Sequence, residues 1–158
     1  LSACDIAVAS NEAIFGLSEV KIGLVPAAIS PYVIRRIGES KAREFFLTGR
    51  RIWAKEALEI GLLNEVVPRE KLERRVKELA ELLLSSGPEA MIYCKKLIQD
   101  VPKMSFEDAK EYTARMIANL RISEEGQEGM KAFLEKRKPA WLEGSGQKKK
   151  EKKKERVM

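Results

Sequence analysis

One residue able to do acid–base chemistry is set apart by its surroundings. Glu19 lies in Phe15-Gly16-Leu17-Ser18-Glu19-Val20-Lys21-Ile22-Gly23-Leu24-Val25-Pro26, a mainly apolar stretch with Gly16 and Gly23 on either side and Pro26 closing it. A carboxylate is costly to bury unless it is paired, hydrogen-bonded or neutralised. Three environments are therefore open to Glu19: a solvated surface turn in which Lys21 answers its charge, a rim position, or an internal position from which it exchanges protons. The chain has no His, which excludes a Ser-His-Asp or Cys-His nucleophile system within it. Its two cysteines, Cys4 and Cys94, are far apart and outside any CxxC or other metal-ligand spacing, so no metal site is expected. Their use fits a reducing, cytoplasmic compartment. There is no Walker loop and no GxGxxG.

The elements that must position Glu19 follow from local pattern. Residues 4–9 are apolar and partly β-branched and read as a short buried strand, and residues 13–15 as a second one. Ser30-Pro31 is a favoured helix start, with Gly38 as its stop. Ser40 opens a second helix that stops at Thr48-Gly49. Residues 54–60 form a further helical piece with Gly61 just past its end, and residues 62–67 a strand ended by Pro68.

The second half has a different character. Leu72, Val76, Leu79, Ala80 and Leu83 recur at helical spacing, and Gly87-Pro88 separates them from a helix bearing Met91, Cys94, Leu97 and Ile98. Ser105 with Asp108 makes a capping-box-like start for a helix with the stripe Phe106, Ala109, Tyr112, Met116 and Leu120. Ser123 starts a last helix with Met130, Phe133 and Leu134, which Pro139 is expected to end. These stripes are packing surfaces before they are ligand sites.

The net charge of +6 raises the question of a nucleic-acid or membrane partner. Residues 148–156 hold seven basic and two acidic residues, so this tail carries +5 of the total and the body is close to neutral. No aromatic residue is interleaved with the lysines, so the tail offers bases no stacking platform and nucleic acid is not the expected partner. Gly144-Ser145-Gly146 reads as a linker and the tail as solvated chain. No apolar run reaches the roughly 20 residues that span a bilayer, and no membrane partner is expected.

Several motifs, in order, carry a resemblance. Ala3-Cys4-Asp5-Ile6, Phe15-Gly16-Leu17-Ser18-Glu19, Gly23-Leu24-Val25-Pro26, Phe46-Leu47-Thr48-Gly49, Ala57-Leu58-Glu59-Ile60-Gly61-Leu62 and residues 128–137 together resemble the crotonase superfamily, the enoyl-CoA hydratase/isomerase family. The resemblance runs from Leu1 to about Leu142. It implies an α/β fold, here the C-terminal part of a crotonase-type ββα spiral followed by an α-helical trimerisation region. The corresponding division is residues 1–67 for the partial spiral core, 68–142 for the helical oligomerisation region and 143–158 for the Lys-rich tail. The chain opens on apolar sequence at Leu1, which fits a cut inside a domain.

What the resemblance implies about activity is specific. Substrates are acyl-CoA thioesters, and coenzyme A enters as part of the substrate, with no separate cofactor. In the hydratases two glutamates hold a water. One assists its attack at Cβ and the other exchanges a proton at Cα, while two backbone N–H groups stabilise the enolate-like thioester oxygen. Glu19 matches the second glutamate, and Phe133, Lys136 and Ala27 match substrate (CoA)-binding positions. The family's Gly-Gly-Gly stretch and first glutamate have no counterpart in these residues, so the chain alone is expected to be inactive. Ala27-Ala28-Ile29-Ser30 replaces the Gly-x-Gly-Gly run of many hydratases and resembles a methylglutaconyl-CoA hydratase-like subgroup acting in branched-chain amino-acid breakdown. A homo-trimer or hexamer is the implied assembly. Other superfamily reactions (isomerase, decarboxylase, dehalogenase) stay open, as does a non-catalytic oligomerisation module built from the helical half.

Overall fold

A computed structural model describes residues 1–142, in two compact units divided between Leu79 and Ala80. The Lys-rich tail lies outside the described residues.

The first unit brings together four short strands. β1 (Val8–Ser10) runs parallel to β4 (Glu65–Val67), with Val8 opposite Glu65 and Ser10 opposite Val67. β2 (Ile14–Gly16) pairs antiparallel with β3 (Arg51–Trp53), with Phe15 opposite Ile52. The strand expected over residues 62–67 forms only at its end, because Leu62 and Leu63 turn inward as core residues first. β3 was not anticipated: Arg51, Ile52 and Trp53 alternate across the ribbon, and only Ile52 is buried.

Helix α1 (Ser30–Thr48) starts with Pro31 in its first turn and is interrupted at Gly38, whose φ of 74° and ψ of 164° are not helical. The two expected helices are thus one element broken at the glycine, the residue that takes this backbone at no steric cost. Val33, Ile37, Ala42 and Phe45 form its buried face, and with Ile52 and α2 (Ala54–Glu59) they make the core. Each large apolar side chain buried there contributes about 2 kcal/mol. Arg36 ties the helix to the strand ends. Its Nε donates to the Leu62 carbonyl (2.6 Å), Nη1 to the Cys4 carbonyl (2.7 Å) and Nη2 to Asn64 Oδ1 (2.6 Å). The same Asn64 oxygen accepts the Ala7 N–H at 2.8 Å.

After α3 (Leu72–Leu84), the second unit is built from α4 (Pro88–Asp100), α5 (Phe106–Ile122) and α6 (Glu124–Leu134). The caps form as expected. Ser105 Oγ accepts the Asp108 N–H at 3.1 Å and donates to the Asp108 carboxylate at 2.7 Å, and Ser123 Oγ accepts the Gly126 N–H at 3.1 Å. The Glu125 carboxylate accepts the Glu89 and Ala90 N–H groups, both at 2.8 Å, placing negative charge on the positive end of α4. Of the expected stripes on α5 and α6 only Met116 is fully buried, Ala132 outside them is the buried residue of α6, and Phe106 is 78% and Phe133 83% exposed. The last helix does not run to Pro139: it stops at Leu134, and Lys136 takes a left-handed backbone (φ 53°).

No helix among the described residues is long and apolar enough to cross a membrane. Cys4 and Cys94 are free, exposed thiols.

Candidate active site

Glu19 opens a single 3-10 turn, Glu19–Ile22, reached directly from β2. Its own carbonyl accepts the Leu24 N–H (3.0 Å), the Ser18 carbonyl accepts the Lys21 N–H (2.9 Å), and Gly23 closes the turn with φ 77°. The turn rests on the end of α1 at Gly49, which is buried and has φ 55°. A Cβ there would lie 2.8 Å from Val20 Cγ1 and 3.4 Å from Lys21 Cγ and Cε. Only glycine allows this approach as well as this backbone. Glu19 as a whole is half-buried in this turn. Glu19 Oε2 is shut off from solvent and has no hydrogen-bond donor, so Lys21 does not answer it and instead lays its stem against Gly49. A buried carboxylate oxygen without a hydrogen bond is uncommon in a folded chain.

Ala27 follows in the same unit. It is exposed, its N–H donates to the Val25 carbonyl (2.8 Å), and its carbonyl accepts the Ser30 hydroxyl (2.9 Å), which fixes the turn entering α1.

Phe133 and Lys136 lie in the second unit, at the end of α6. The Lys136 N–H donates to the Phe133 carbonyl (3.2 Å) and the Arg137 N–H to the Ala132 carbonyl (3.0 Å), the paired bonds of a Schellman ending. Beside them Arg137 forks onto Glu128, Nη1 to Oε1 at 2.6 Å and Nη2 to Oε2 at 2.8 Å, and its Nε donates to Glu135 at 2.7 Å. Glu128 Oε1 also accepts the Ala140 N–H (2.8 Å). The Arg137 fork first, and this N–H second, hold the Glu128 carboxyl down at about 2. Sequence reasoning placed Phe133 and Lys136 but missed the clamp, although both its residues stand in the 128–137 motif. Among the described residues no three His, Cys, Asp or Glu side chains gather as a metal site requires.

Comparison with known proteins gives these positions a context. Residues 1–144 match the family described as enoyl-CoA hydratase/isomerase. The chain belongs to the enoyl-CoA hydratase/isomerase family. A Thermus thermophilus protein described as an enoyl-CoA hydratase is 40% identical over 139 residues, which cover 87% of this chain and 54% of that protein. The crystal structure of a Legionella pneumophila protein described as an enoyl-CoA hydratase/isomerase (crotonase) superposes with a TM-score of 0.85 at 44% identity, covering 89% of this chain and 54% of its own. An enoyl-CoA hydratase from Shewanella pealeana gives 0.83 at 40% identity, covering 89% and 52%. The fold is therefore α/β and crotonase-type, and the chain spans about half the length of the curated relatives it matches.

Within this hydratase/isomerase chain, Glu19 and Ala27 belong to the first unit and Phe133 and Lys136 to the second. Gly49 belongs with Glu19 although it carries no chemistry: the Thr48-Gly49 helix stop was legible, but its contact with Val20 was not.

Proposed function

We propose that this chain carries one catalytic carboxylate of an enoyl-CoA hydratase-like lyase, Glu19, and part of its coenzyme A site. The observation that carries the reading is the hidden, unbonded Glu19 Oε2 in a chain of this family. In syn hydration of a 2-enoyl-CoA, water adds its oxygen at Cβ and passes one proton to the family's first glutamate, while Glu19 supplies the proton at Cα. The electron pair of the double bond passes through the thioester oxygen on the way. Stabilising that oxygen is a separate task, for which the family uses backbone N–H groups and which a lone carboxylate does not perform. Glu19 therefore needs the rest of the family's domain, and residues 1–158 by themselves are inactive. Coenzyme A arrives on the substrate, and the chemistry asks for no further cofactor. The Ala27–Ser30 sequence supports a branched acyl group, and the free thiols support a cytoplasmic setting.

Phe133 suits a contact with adenine, being exposed at the end of α6, and Lys136 a contact with phosphate, since the ions beside it are already paired to one another. Replacing Glu19 by Gln in a protein containing the whole family domain should lower kcat for hydration of a 2-enoyl-CoA about 10³-fold, the size of a lost acid–base group. Equal rates would remove Glu19 from the chemistry.

A second reading adds to the first. Ile117, Ile122, Phe133 and Leu134 of α5 and α6 are large, apolar and exposed. Exposed apolar side chains of this size support assembly into a homo-trimer or hexamer. Sedimentation velocity should give three or six copies, and a monomer at micromolar concentration would contradict it.

A further inference from the structure

Three cations follow one another after α6, Lys136, Arg137 and Lys138, and the structure gives the first two opposite situations. Every nitrogen of the Arg137 guanidinium is used within the fold: Nη1 and Nη2 on Glu128, Nε on Glu135, and Nη1 again on the Lys138 carbonyl at 3.1 Å. Lys136 is exposed and makes no ion pair among the described residues. Its backbone is left-handed, and it is the one described residue other than glycine with positive φ. Glycine is the usual occupant of this place after a helix, because a Cβ is penalised there. A lysine kept at such a position is a local cost, and the surroundings must enforce it.

The surroundings that do so are on either side of it in sequence. The Schellman bonds fix the turn from within. The Glu128–Arg137 fork ties the residue after Lys136 back onto the body of α6, and Glu128 also holds the Ala140 N–H of the returning chain. The whole turn is thereby closed on one carboxylate.

We infer that Glu128 and Arg137 are positioning residues for ligand binding: their ion pair holds Lys136 in its left-handed turn and so presents its ammonium to the phosphates of a coenzyme A thioester. This rests on the reading of Lys136 as a coenzyme A contact. It divides two neighbouring cations by role. Arg137 shapes the turn and contacts no phosphate, and Lys136 contacts the phosphate and shapes nothing.

The test is a double-mutant cycle on the full chain, with coenzyme A itself as the probe in calorimetric titration. Glu128→Gln keeps the acceptor shape but removes the charge, and should weaken coenzyme A binding about tenfold, as should Lys136→Gly. Because Glu128 acts through Lys136, the double variant should be no weaker than Lys136→Gly alone, whereas a general loosening of the fold would make the two effects multiply. Multiplying effects, or unchanged affinity in Glu128→Gln beside a weakened Lys136→Gly, would overturn the positioning role alone. Unchanged affinity in Lys136→Gly, or no binding by the unaltered chain at millimolar coenzyme A, would overturn the contact itself and the inference with it. Arg137→Lys serves where Glu128→Gln loses helical circular dichroism. It keeps the charge without the fork and should weaken binding about threefold, and affinity equal to the unaltered chain's would overturn the inference.

Discussion

Glu19 opens a short helical turn and Glu128 lies within α6, each element followed by a left-handed residue, and the two carboxylates are treated in opposite ways. After the 19–22 turn the left-handed residue is Gly23; after α6 it is Lys136. Glu128 is spent on structure, with both oxygens on the Arg137 fork and one also on a backbone N–H. Glu19 has one oxygen hidden from water with nothing bonded to it. Near Glu19 the backbone residue is permissive and the carboxylate is unsatisfied. Near Glu128 the carboxylate is satisfied and the cost is in the backbone, at a lysine. In each case the unsettled group is the one that the proposed function assigns to the ligand, and its neighbours supply the order.

The comparison breaks most readily at Glu19 itself, where the Gln variant of a protein containing the whole family domain should lose about 10³ in kcat, on the order of 4 kcal/mol of transition-state stabilisation. Gly49→Ala should come next. It combines a left-handed backbone with a methyl group 2.8 Å from Val20 Cγ1, and should destabilise the first unit by about 3 kcal/mol in urea unfolding. Adding Val20→Ala should recover the part due to the clash and leave the part due to the backbone; no recovery would mean that the turn does not rest on Gly49.

The Glu128 carboxyl sharpens the contrast through pH. Its value falls from 4.5 when unpaired to about 2 in the fold, so its stabilisation is complete above pH 4.5 and is lost as pH falls toward 2. Thermal unfolding of the unaltered chain and of Glu128→Gln should therefore differ at pH 6 and converge near pH 2. The smallest effect is expected at Lys136. Lys136→Gly relieves the left-handed backbone and should raise stability by about 1 kcal/mol while coenzyme A binding weakens.

Much of this was legible where one residue type dictates its own backbone. Ser105 with Asp108, Pro88 after Gly87, and the stops at Gly38 and Gly49 were read directly, because caps and breaks are local chemistry. β3 was not, since its pairing comes from β2, far away in sequence, and its residues carry no strand pattern long enough to notice. The end of α6 was misplaced to Pro139 because lysine carries no stop signal: Lys136 is left-handed only through the bonds around it. At the candidate site the type and place of Glu19 were legible, and its hidden oxygen was not, because that depends on how the 19–22 turn settles against Gly49. The Glu128–Arg137 fork was likewise invisible: at nine residues apart the two meet only after the chain has turned.

The central claim is that an unbonded carboxylate is reserved for chemistry and a bonded one for structure. Thermal unfolding of Glu19→Gln and Glu128→Gln, side by side at pH 7, tests it most directly. The account predicts that Glu19→Gln is at least as stable as the unaltered chain, since it replaces a hidden acid with a neutral amide, and that Glu128→Gln melts lower. Equal losses of stability in the two variants would contradict it, because Glu19 would then be holding the fold together as Glu128 does.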